Sequence, residues 1–241
     1  MNIYAYCVCH EMDGAALEKV IGVAGARPFG IPSGGLTAVV SELPGGPVTV
    51  TRENVLAHER VISHVFAQTT PLPFRFGALL RPAELERYIE SNKPSLLAVL
   101  DRVRGMAEMS VKIIGEPERS SDALESLLEP APAGEGIGRG AMFLAAKQRE
   151  LAQTSVSEEH ARETANWLAE HVAVVVNDSC VRLRPTAGLT LKAAHLVERA
   201  RLDDYRERLR LARQERSTLL FLTSGPWPPY SFCDLTTGSH G

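Results

Sequence analysis

The run CVCH, residues 7 to 10, places two thiols and an imidazole within four positions, the residue types from which zinc sites are built. Structural zinc takes four ligands, and no second Cys/His pair with suitable spacing follows. In a strand Cys7 and Cys9 share one face and His10 takes the other, so the two cysteines read as core residues. GEGIGRG (134–140) has the glycine density of a phosphate loop, but a Pro/Ala stretch precedes it and no Lys-Ser/Thr pair follows, which leaves a hinge. His58 falls on an apolar helical stripe with Val55, Ile62 and Val65. No nucleophile or orienting acid accompanies it, so it reads as a hydrogen-bonded core histidine. Arg199, Arg201, Arg206, Arg208, Arg210, Arg213 and Arg216 are interleaved with Asp203, Asp204, Glu207 and Glu215, the pattern of a salt-bridged solvent face. No catalytic, cofactor-binding or metal-ligating residue emerges, and the expectation is a chain that is not an enzyme and carries no cofactor.

A different kind of site closes the sequence. SGPWPPYSF (224–232) packs three prolines and three aromatics into nine residues. Pro226, Pro228 and Pro229 lack backbone donors and push their predecessors toward extended geometry, which excludes a helix or a central strand. The stretch is expected to be a stiff arm whose aromatics dock. Burying a large side chain contributes about 1.5–3 kcal/mol, and prolines lower the entropy lost on docking. The expectation is cis docking at least through Trp227, with Tyr230 and Phe232 left for a partner. Arg75, alternating with Phe74 and Phe76 ahead of Gly77, is expected to be partly buried and paired, because an unpaired charge there is costly.

The elements that must position these residues alternate strand and helix. With 241 residues, 44% hydrophobic and 23% charged, the chain has an ordinary globular composition. A net charge of −3 argues against a general nucleic-acid binder. Four scattered cysteines point to a reducing compartment, the N-terminus does not read as a signal peptide, and no apolar run is long enough for a membrane span. Strands are expected at NIYAYCV and GGLTAVVSEL, with a short helix over 12–20 between them. A helix follows from an N-cap at Thr51 to about Gln68, then an extended 70–80, then a helix from about Pro82 that Pro94 breaks or kinks. Beyond it come a strand at 108–115, a loop over 129–140, helix to about Ala173, two strands turning near Gly188, an Arg-rich helix over 201–216 and a last strand at STLLFLTSG. The second half thus reads β-α-β-β-α-β, the ferredoxin-like order. The expected architecture is α+β: an α/β domain over 1–104, a ferredoxin-like domain over 105–224, and a tail over 225–241.

With these segments in place the chain resembles the GvpL/GvpF family of gas vesicle proteins. The resemblance rests on TTPLPFRFGALL, the preceding AHERVISHVF, GRGAMFLAAKQRE, and above all the terminal GPWPPYSF. It runs from about Ile3 to Phe232. It implies an N-terminal α/β domain, a ferredoxin-like domain and a tail. It also implies a non-enzymatic role in gas vesicle assembly within the cytoplasm, with the small hydrophobic structural protein GvpA and other accessory proteins as partners. Arg75, Gly77, Gly225, Pro226, Trp227, Pro228, Pro229, Tyr230 and Phe232 are the candidate residues for partner contact or tail docking. The competing class is a small-ligand-binding regulatory protein, because ferredoxin-like domains often bind small molecules.

Overall fold

In the computed structural model the described residues are 2–12, 17–43, 45–115, 158–185, 189–233 and 235. The expected loop over 129–140, with GEGIGRG inside it, and the helix start near Ala141 lie outside them, as do the turn at Gly188 and residues 13–16 of the helix expected over 12–20. The fold is α+β, and the chain divides into two compact units. The first takes its described residues from Met1–Met109, His195–Leu202 and Ser224–Gly241, the second from Ser110–Ala194 and Asp203–Thr223.

The first unit is built on β1 (Asn2–His10), β2 (Pro28–Ser33), β3 (Leu36–Leu43), β4 (Leu72–Pro73) and β5 (Leu79–Leu80). The sheet order is β2-β3-β1-β4, with β5 also on β1, and β1 pairs antiparallel with β3, β4 and β5. Strand β2 carries Pro28 and Pro32 and was not expected from the sequence. It forms because it lies at the sheet edge, where a residue without an N–H costs no ladder bond. Along β1 the register slips by one between Ala5, opposite Val40, and Cys7, opposite Val39. A one-residue slip exchanges the faces of every later side chain. Tyr4 and Tyr6 before it, and Cys7 and Cys9 after it, therefore join one buried cluster with Val61, Ile62 and Val65. Both cysteines are free and buried, as core residues.

Helix α1 (Arg52–Gln68) starts where expected, with Thr51 Oγ1 accepting the Asn54 N–H at 3.1 Å. It buries Ala57, His58, Val61, Ile62 and Val65. His58 is a hydrogen-bonded core residue. Tyr4 Oη accepts the Gly77 N–H at 3.0 Å and shares a hydrogen bond with His58 Nδ1 at 2.9 Å. Tyr6 Oη does similar bridging work, accepting the Val23 N–H at 2.9 Å and lying 3.0 Å from Ser41 Oγ. Helix α2 (Pro82–Val103) passes through Pro94 without a break. Pro94 and Glu90, whose carbonyl loses its partner, are both exposed, so water takes over the missing bond. The C-terminal end of α1 is closed from a distant segment. The Arg199 guanidinium lies 3.8 Å over the Phe66 ring and donates to the Phe66 carbonyl at 2.6 Å.

The second unit holds most of β6 (Met106–Gly115), α3 (158–172), β7 (Val176–Pro185), β8 (Leu189–Glu198), α4 (Leu202–Glu215) and the start of β9 (Leu220–Trp227). The sheet order is β7-β8-β6-β9. Described elements follow β-α-β-β-α-β, with the first and third strands central, as a split βαβ arrangement requires. Val111, Ile113, Leu191 and Phe221 form its sheet core, and Leu168, Val172, Tyr205 and Leu209 supply the helical layer. On α4 the arginine pattern is partly the expected solvent face, with exposed pairs Arg206–Asp203 at 2.8 Å and Arg210–Glu207 at 2.7 Å. Other arginines instead tie helices together. Arg208 donates to the His171 carbonyl at 3.2 Å, and Arg216, just past α4, lies 4.5 Å over the Trp167 ring.

Burial holds both His58 and His195 near pKa 4, below the ordinary value of 6.5. Between pH 6.5 and 4 the unfolded chain therefore binds more protons than the folded one, and stability falls as pH falls. Each histidine contributes up to about 1.4 kcal/mol per pH unit in that window. Burial raises the Glu59 carboxyl, whose contribution has the opposite sign. Comparing wild type with His58→Gln cancels the Glu59 contribution. Urea midpoints measured from pH 7.5 to 4 should fall less steeply in the variant, by about one proton's slope; identical slopes would contradict the assignment.

Candidate interaction surface

The arm begins inside β9 and ends in a knot of hydrogen bonds on the first unit. Gly225 adopts φ +123°, and a Cβ there would stand 2.8 Å from the Glu108 carbonyl oxygen and 2.9 Å from Met109 Sδ. Only glycine permits both that conformation and that close approach. Pro226 and Trp227 finish the strand at the sheet edge, where a proline is tolerated. Past Trp227 the chain is not the extended rod expected from its prolines. It turns, with the Tyr230 N–H donating to the Pro228 carbonyl at 2.8 Å and the Phe232 N–H to the Pro229 carbonyl at 3.2 Å. The Cys233 thiol also donates to the Pro229 carbonyl, at 2.7 Å.

Two carboxylates and one guanidinium fix this turn. Tyr230 Oη donates to both carboxylate oxygens of Glu59, at 3.0 and 3.1 Å. Glu108, only 7% exposed, accepts the Ser231 N–H at 2.7 Å and the Ser231 hydroxyl at 2.9 Å. Arg102 Nη2 donates to the Phe232 carbonyl at 2.7 Å. The Tyr230 hydroxyl is pushed well above its ordinary range by burial, and then by the Glu59 charge beside it. Burial raises the Glu59 carboxyl too, an effect its bond from Tyr230 partly offsets.

The aromatic roles are the reverse of those expected. Trp227 is 42% exposed, with its indole N–H donating to Ser224 Oγ at 3.2 Å, whereas Phe232 is 8% exposed. Pro228, Pro229, Cys233 and Leu235 are buried as well, and Tyr230 is partly buried. Trp227 precedes the turn and is carried on the strand edge; Phe232 follows it and is drawn in by Ser231 and Arg102. Arg75 departs from expectation in burial, because it is exposed, although it is not without a partner. Phe74 points into the core, and alternation along the extended chain turns Arg75 the other way. Its carbonyl accepts the Ala78 N–H at 3.3 Å in a tight turn that holds Gly77 at φ +93°. Phe76, between Arg75 and Gly77, packs against the same buried cluster as Tyr230, so both groups of candidate residues converge on the Tyr4–Tyr6–His58 region. Glu59, Glu108 and Arg102 were missed in the sequence, where each sits among other surface-type charges. The single available signal was Glu108 beside alternating apolar positions of a strand.

This architecture has known counterparts. The sequence profile described as gas vesicle synthesis protein GvpL/GvpF matches residues 2–234. The chain belongs to the GvpL/GvpF family. It is 30% identical over 255 residues to gas vesicle protein L of Streptomyces sp. (strain CB03234), covering 96% of this chain and 92% of that one. It is 28% identical over 246 residues to gas vesicle protein F of Haloferax mediterranei, covering 99% and 96%. Among solved structures, gas vesicle protein GvpF from Anabaena sp. PCC7120 superposes with a TM-score of 0.78 at 16% identity over 98% of this chain and 99% of that one. GvpF from Microcystis aeruginosa gives 0.75 at 18% identity, covering 97% and 99%. The relatives carry both L and F names, and the two structures share the fold of this chain over its length. Among the described residues no helix is long and apolar enough to cross a membrane.

The inverted aromatics give a direct test. Phe232→Ala should destabilise the protein by about 3 kcal/mol through lost burial and an unfilled site. Trp227→Ala should cost less than about 1 kcal/mol, as an exposed residue does. Thermal unfolding of the two variants measures the difference; a larger loss in Trp227→Ala would overturn the assignment.

Proposed function

We propose that this GvpL/GvpF protein is a non-enzymatic accessory or minor structural protein of gas vesicles in the cytoplasm. In this reading it binds the small hydrophobic gas vesicle structural protein GvpA during shell assembly, with other accessory proteins as further partners. The observation that carries the reading is Trp227, a large amphipathic side chain left exposed on an arm whose Tyr230, Ser231 and Phe232 are held by Glu59, Glu108 and Arg102. An aromatic held in place before binding loses little conformational freedom on contact, and such residues dominate interface energetics. A partner with exposed apolar surface aggregates unless that surface is covered, and a rigid apolar anchor on a charged, folded carrier covers it.

The arm's docked part acts in this reading as a foundation, and Trp227 as the contact. Co-expression of the chain with the structural protein, followed by affinity capture, should recover a complex. Trp227→Ala should weaken capture by about tenfold or more, the loss typical of an interface anchor, while leaving the unfolding temperature near that of wild type. Capture of nothing by the unaltered chain would sink the reading. Capture undiminished by Trp227→Ala would remove Trp227 from it.

A further inference from the structure

Sheet edges are places where a second chain can add a strand, and folded proteins blunt them with charge, proline or brevity. Among the described residues three of the four sheet edges are blunted. Strand β2 carries Pro28 and Pro32, β4 has two residues, and β7 carries Asp178 and Arg182. The edge β9 is different over its first five residues, ahead of Pro226. From Leu220 to Ser224 it reads LFLTS, without a charge or a proline. Among the described residues its one strand neighbour is β6. Phe221 faces inward at 4% exposure, while Leu220 and Leu222 stand outward at 54% and 48%.

We infer that β9, over Leu220–Ser224, is an open edge that takes up an extended, uncharged, apolar segment of a partner protein as an added strand. Unpaired backbone N–H and C=O groups along an edge are satisfied by another extended backbone, which fixes the occupant's conformation. The outward leucines fix its character. A lysine or glutamate set against Leu220 or Leu222 would lose hydration and gain no counter-charge, so a neutral apolar segment is the match. A second copy of the chain is the weaker occupant. Five strand residues span only about 17 Å, too little for two copies to reach the roughly 1,200 Å² of a stable interface. The inference rests on the proposed function: the occupant is a strand of the hydrophobic structural protein that the chain captures.

The test uses the full chain co-expressed with that structural protein. Leu222→Lys replaces an outward side chain and should leave the unfolding temperature unchanged while reducing capture by about tenfold. In the captured complex of the unaltered chain, alternate backbone amides of Leu220–Ser224 should gain protection from hydrogen exchange relative to the free chain. If Leu222→Lys captures as well as wild type and these amides gain no protection, the added strand is refuted while the proposed function stands. If the unaltered chain captures nothing, the proposed function fails and the inference fails with it. If the free chain sediments as a dimer that Leu222→Lys dissolves, the occupant is a second copy and the inference is overturned.

Discussion

A carboxylate that is nearly out of water must find donors, and Glu108 finds them in the arm. Its oxygens accept the Ser231 N–H and hydroxyl at 2.7 and 2.9 Å, from a residue 123 positions later in the chain. Leaving such a group buried and unpartnered costs several kcal/mol, considerably more than the net gain from forming the bonds. The arm is therefore an integral part of the first unit. Once Ser231 is held, Tyr230 is brought to Glu59, the Phe232 carbonyl to Arg102, and the Phe232 ring into the interior. Gly225 permits the close approach to the Glu108 backbone that starts this path.

The same constraint explains why Trp227 and Phe232 exchange the roles expected of them. Two aromatics five residues apart, separated by prolines, look equivalent when ranked by apolar area. They are distinguished by the polar anchors around them. Ser231 and Arg102 lie next to Phe232 and pull it inward, whereas Trp227 sits on the free edge of β9 with only Ser224 beneath its indole N–H. Exposure of Trp227 is thus a consequence of satisfying Glu108, Glu59 and Arg102 elsewhere.

Much of the scaffold could be read from local pattern. Thr51 marks the start of α1 because a side-chain oxygen there meets a free helix donor, a purely local event. His58 and the two N-terminal cysteines betray themselves by lying at apolar spacing, and all three are buried. The second unit's strand and helix rhythm follows from alternation and helical stripes in the same way. What escaped depends on distant partners or sheet position. Pro28 and Pro32 look like strand breakers until β2 is known to be an edge. Pro94 looks like a helix breaker until its turn is known to face water. The latch formed by Glu59, Arg102 and Glu108 with the arm joins residues more than one hundred positions apart, and nothing local announces it. Arg75 was placed inward by its aromatic neighbours, although alternation alone turns it outward.

The central claim is that the arm is closed onto its own chain through Ser231 and Phe232, and Cys233 reports on that closure directly. Its thiol is 8% exposed and bonded to the Pro229 carbonyl only while the turn is formed. In a Cys180→Ser variant, which removes the half-exposed thiol, alkylation of Cys233 should be at least roughly tenfold slower than in an unfolded peptide of the same sequence. Alkylation at the free-peptide rate would mean that the arm is not docked, and would contradict the account.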